Sequence, residues 1–60
     1  MYKILIIDDE ILIRELIKKS IDFNALGFEI VGEAKDGRQA MDMIEALHPN
    51  LLLLDINIPI

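Results

Sequence analysis

Sixty residues with six basic and eleven acidic side chains give a formal net charge of −5, and there is no cysteine. A chain this short makes at most one small domain and buries only about 60% of the surface its unfolded form exposes. The basic residues (Lys3, Arg14, Lys18, Lys19, Lys35 and Arg38) are too scattered for phosphate contacts, so no direct nucleic-acid binding is expected of this segment. Disulfides and thiolate metal sites are excluded.

Apolar side chains reach 53% before the three glycines are counted, against about 45–50% with glycine included in ordinary soluble domains. That excess calls for an intermolecular contact or for further chain to cover it. The apolar run Ile4–Ile7 is too short for a signal peptide's core, and Leu51–Leu54 falls far short of the ~20 residues that span a bilayer. No membrane partner is expected, and the cytoplasm is the expected location.

Lys3–Ile7 (KILII) is apolar without alternation and closed by Asp8–Asp9, the habit of a parallel strand buried on both faces. In the following EILIRELIKKSID, Leu12 and Leu16 lie four apart, as do Ile13, Ile17 and Ile21. This predicts a helix with one apolar face. Glu10 suits its positive N-terminal end and Lys18–Lys19 a solvated later turn. Asn24–Gly27 breaks the pattern.

Phe28–Ala34 (FEIVGEA) alternates, with Phe28, Ile30, Gly32 and Ala34 on one side and Glu29, Val31 and Glu33 on the other. This predicts a second strand, partly exposed and at an edge. Asp36 and Gln39 form a capping-box pattern before a helix over Arg38–Leu47, whose inner face is Ala40, Ile44 and Leu47, with Met41 and Met43 as packing residues. Pro49 ends that helix, and His48 beside it reads as an exposed loop residue. Leu51–Leu54 is a third strand, unalternating like the first and closed by Asp55. The order strand–helix–strand–helix–strand predicts an α/β fold with a parallel sheet.

Two runs that read as central strands thus end in aspartate. If they are neighbours, Asp8, Asp9 and Asp55 converge at the C-terminal rim of the sheet, where open α/β sheets bind ligands. Three such carboxylates repel, and a hard divalent cation such as Mg²⁺, with oxygen ligands, relieves the repulsion. That cation would draw a phosphoryl group, and Asp55, standing alone, is the natural nucleophile for an acyl phosphate. A lone strand-end aspartate is more simply a helix cap; the pair together with a third on another buried strand favours the ion site. A nucleotide-triphosphatase strand would need a GxxxxGK[ST] loop, which the chain lacks. A phosphohydrolase of the DxD type would need an aspartate where Asn57 stands.

IIDDE, GFEIVGEAKDGRQAM and LLLLDINIP together resemble the receiver domain of two-component response regulators, across the whole chain. IDFNALGFEIVGEAKDG is similar to receivers that precede AraC-type DNA-binding domains. The resemblance implies a flavodoxin-like sheet of order 2-1-3-4-5, of which residues 1–60 supply a truncated βαβαβ unit of order 2-1-3. It implies that Asp55 accepts a phosphoryl group from a phosphohistidine on a sensor histidine kinase. Asp9 would bind Mg²⁺ directly, Asp8 largely through water, and Asn57 through its backbone carbonyl. No enzyme beyond this self-phosphotransfer is implied.

The chain departs from the family's usual residues at Ile11, where proline is common, and at Asn57 and Ile58, where a basic residue and methionine are common. The resemblance further implies that the fourth and fifth strands, the switch Ser/Thr, the phosphate-binding Lys and any output domain are absent from this segment. Leu51–Leu54 then becomes a middle strand with a free edge, and a homo-oligomer through the third strand is expected to complete the sheet. The alternative expectation is a self-assembling structural half-domain whose carboxylates are relics.

Overall fold

A computed structural model describes residues 1–54. Its elements are β1 (Tyr2–Ile7), α1 (Ile11–Ser20), β2 (Phe28–Ala34), α2 (Gly37–Leu47) and β3 (Leu51–Leu54). The three strands form one parallel sheet in the order β2-β1-β3, as expected of a truncated flavodoxin-like unit. β1 lies in the middle, and Ile4, Leu5, Ile6 and Ile7 are all buried. A strand covered on both faces has no use for a polar side chain, which is why its sequence does not alternate.

Leu5 and Ile7 pack with Ala34 and Ala40 in the core cluster, joined by Met43 and Ile44 of α2. Ile4 and Ile6 therefore point to the opposite face, where α1 lies. Asp36 caps α2 by accepting from the Gln39 N–H at 2.8 Å, while the Gln39 side chain accepts from the Lys35 N–H at 2.8 Å. The reciprocal box read from the sequence is thus present, its return arm reaching one residue further back. His48 ends the helix in the left-handed conformation (φ 50°), its N–H bonded to the Ile44 carbonyl; its side chain is exposed. The turn into β2 closes at Gly27, φ 85°, a conformation that glycine adopts without strain.

The alternation expected of β2 does not survive. The β1–β2 register runs Ile4↔Ile30 and then Leu5↔Gly32, so Val31 is an extra residue, a β-bulge that shifts the parity of everything after it. Phe28 and Ile30 share the α1 face with Ile4. Gly32 and Ala34 share the α2 face with Leu5 and Ile7, and Glu33, paired with Ile6, turns to α1. Gly32 makes the α2 face possible. A Cβ there would meet the Leu5 and Leu47 Cδ1 atoms at 3.2 and 3.3 Å and the Met43 sulfur at 3.3 Å.

α1 is also rotated from its expected setting. Leu12 and Leu16 are 78% and 59% exposed, while Arg14, Ile17 and Lys18 are half-buried. The half-buried residues toward the sheet are Ile17 and the two cations, with Glu33 beneath to receive both cations, while Ile13 and Ile21 are themselves nearly two-fifths exposed. Met41 is exposed rather than packed. Just before β3, Asn50 grips β1 twice: its Oδ1 accepts from the Lys3 N–H and its own N–H donates to the Lys3 carbonyl, both at 2.8 Å. Beyond it Leu51, Leu52 and Leu54 are between 43% and 45% exposed.

Gly32→Val tests the close approach to α2. Overpacking of this kind costs roughly 1–3 kcal/mol, so the urea midpoint should fall clearly, whereas Gly32→Ala, which displaces only side-chain ends, should change it little. An unchanged midpoint for the valine variant would contradict the packing described.

Candidate acidic site at the sheet rim

β1 and β3 run parallel with Ile4↔Leu51, Leu5↔Leu52, Ile6↔Leu53 and Ile7↔Leu54. The two strands therefore reach the same rim in step, and the next residue of β1 is Asp8. Asp55 and Asn57, which the sequence nominates beside it, lie outside the described residues.

Asp8 is only 6% exposed. Its N–H donates to the Ala34 carbonyl at 3.0 Å, extending the β1–β2 pairing to the rim. Its Oδ1 accepts from the Glu10 N–H at 2.9 Å, shaping the turn that starts α1. Asp8 thus serves the helix entry from two residues ahead of the first turn, while Glu10 at the N-cap makes no side-chain cap. No cation pairs with the Asp8 carboxylate among the described residues. Asp9 is exposed. Among the described residues no three His, Cys, Asp or Glu side chains are grouped so as to hold a metal ion.

Beside Asp8 opens a cleft of about 570 Å³ lined by Ile7, Asp8, Glu10, Leu53, Leu54 and the isoleucine row of α1. Its acidic lining residues are Asp8 and Glu10, oxygen donors of the kind a hard cation takes. Oxygen-only donors favour Mg²⁺ over a softer metal.

The charges next to the rim form a chain that the sequence pattern hid. Arg14 donates from Nη1 to the Asp8 carbonyl at 2.6 Å and from Nε to Glu33 at 3.1 Å. Lys18 donates to the other Glu33 oxygen at 2.8 Å and pairs with Glu15 at 2.7 Å. Lys18, expected as part of a solvated helix end, is therefore engaged. Reading Arg14 and Lys18, four apart on a helix, against an acid in the next strand would have suggested the pairing only if the bulge at Val31 were known.

The Lys18 ammonium holds the Glu33 carboxyl below the usual glutamate range, against an opposing push from burial and with help from Arg14. Glu15 first, then Glu33, push Lys18 up. A lowered carboxyl contributes stability that is present above its ordinary pKa and lost as pH falls through the lowered one; for Lys18 the loss comes as pH rises through its raised value.

Comparison with known proteins places these features. The family described as response regulator receiver domain matches residues 4–60. The protein-glutamate methylesterase/protein-glutamine glutaminase of Pseudoalteromonas atlantica is 34% identical over 59 residues, 98% of this chain and 15% of that protein. The nitrate/nitrite response regulator NarL of Escherichia coli K12 is 43% identical over 56 residues, 93% of this chain and 26% of that protein. The chain thus spans about a quarter or less of the length of these two curated relatives. Among solved structures, the selenomethionine derivative of the REC domain of AraT, a response regulator from Geobacillus stearothermophilus, superposes with a TM-score of 0.89. It is 42% identical to this chain, covering 98% of it and 46% of the solved chain. No helix of the described residues is long and apolar enough to cross a membrane.

The Glu33 carboxyl, followed by NMR, should titrate below the ordinary glutamate range and return toward it in Lys18→Gln. A midpoint that ignores Lys18 would contradict the pairing.

Proposed function

Because this chain belongs to the response regulator receiver domain family, we propose that its rim is a phosphoacceptor pocket with Asp55 as acceptor and Asp8 and Asp9 as its cation-binding acids. The observation that carries this reading is the parallel register that brings Ile7 and Leu54 level, one residue short of Asp8 and of Asp55 respectively. Asp9 would bind Mg²⁺ directly, Asp8 through water, and Asn57 through its backbone carbonyl. Bound there, Mg²⁺ supplies charge neutralisation for an incoming phosphoryl group.

The donor is a phosphohistidine of a sensor histidine kinase. The Asp55 carboxylate oxygen forms the new O–P bond, the N–P bond to the imidazole breaks, and the imidazole nitrogen keeps the electron pair. No other catalysis is assigned to the segment. Residues 1–60 constitute a partial receiver, and the output in the longer protein is control of transcription through a separate DNA-binding domain, in the cytoplasm.

A second reading concerns association. Among the described residues β3 has no neighbour on its outer edge, and its leucines are exposed. Unpaired backbone beside apolar side chains is a template for another strand, so the sixty-residue chain joins a second copy through β3.

Three measurements test these readings. With Mg²⁺ present, beryllofluoride should bind the chain weakly, because no phosphate-gripping lysine is among its rim residues, and that binding should vanish in Asp55→Asn; Asp9→Asn should weaken Mg²⁺ on the order of tenfold or more. Equal binding by Asp55→Asn would defeat the acceptor assignment. Sedimentation at micromolar concentration should give a dimer that Leu52→Lys dissociates; a compact folded monomer would rule out pairing through β3.

A further inference from the structure

Arg14 stands apart from the other cations. Its side chain is 13% exposed, and one arm of its guanidinium is committed to a backbone carbonyl rather than to an acid. That carbonyl belongs to Asp8, where β1 gives way to the turn. The other arm is held by Glu33, which Lys18 holds in turn. An ordinary exposed ion pair contributes little and fixes nothing in particular. Here a planar fork spans two fixed acceptors, one on β2 and one in the turn after β1, a geometry that lysine's single ammonium does not reproduce.

We propose that Arg14 is a positioning residue for the acidic rim: anchored on Glu33, it clamps the Asp8 carbonyl and so fixes the turn that presents the Asp8 and Asp9 carboxylates. The inference rests on the reading of the rim as a cation site. Asp8 is then held at three points, its N–H by Ala34, its carbonyl by Arg14 and its Oδ1 by the Glu10 N–H.

The sign of one substitution separates positioning from simple charge. Arg14 carries a positive charge near a cation site, so charge alone predicts that Arg14→Ala tightens Mg²⁺ binding, most of all at low salt. Positioning predicts the opposite. Supporting side chains of metal sites commonly matter by tenfold or more, and for a clamp acting on the backbone a weakening of about fivefold is expected. Arg14→Lys keeps the charge but loses the fork, and should weaken binding to a similar extent.

The experiment is Mg²⁺ titration of the sixty-residue chain and both variants by NMR, with amide hydrogen exchange of Glu10 measured before metal is added. Weaker binding in both variants and faster Glu10 exchange, with the Ala40 amide of α2 unchanged, is the expected result. Unchanged or tighter binding in Arg14→Ala, or wild-type behaviour in Arg14→Lys, would overturn the proposal. Should the alanine variant fail to fold, the lysine variant decides by the same readings. If the unsubstituted chain binds no Mg²⁺, the cation-site reading falls by itself. Glu10 exchange then still decides whether Arg14 holds the turn: acceleration upholds the clamp and an unchanged rate overturns it.

Discussion

The parallel pairing of Ile4–Ile7 with Leu51–Leu54 is the constraint on which the rest of this small structure depends. It makes β1 the central strand, and it brings two strands to one rim in step. A slip of one residue would turn every leucine of β3 to the opposite face and put the strand ends out of register. Asn50 fixes the register at the start of β3 by taking both backbone groups of Lys3. Its short side chain stands in for one more ladder bond.

A second constraint acts from the other edge. The bulge at Val31 lets Gly32 approach Met43 and Leu47 on the α2 side and, in the same stroke, turns Glu33 to the α1 side. One irregularity therefore serves two packing problems. It removes side-chain bulk where α2 lies close, and it provides an acid where α1 would otherwise rest on the sheet through a narrow isoleucine row alone. The consequence for the rim is indirect but physical, because Glu33 anchors Arg14 and Arg14 reaches Asp8.

Much of this was legible in the residues. Unalternating runs closed by aspartate marked β1 and β3, and the family resemblance implied that the two strands are neighbours, which the sheet order bears out. Asp36 and Gln39 announced the cap of α2. The parity of β2 was not legible, because an extra residue leaves no mark in an alternating pattern; only the packing of Gly32 reveals it. The setting of α1 was misread for the same reason. Its leucines and isoleucines form two rows, and its setting over the sheet is tied to Glu33, an acid thirteen residues beyond the helix's end at Ser20. Lys18 accordingly looked like a solvated charge. Asp55 and Asn57 remain assignments from the sequence and the family.

The central claim is that the acids following β1 and β3 share one ion, and paramagnetic broadening by Mn²⁺ in place of Mg²⁺ tests it most directly. The account predicts that substoichiometric Mn²⁺ broadens the amide signals of Asp8, Asp9 and Asp55 together while Tyr2 and Gly27, at the other end of the sheet, stay sharp. Broadening confined to Asp8 and Asp9, or spread evenly over the acidic surface, would contradict it.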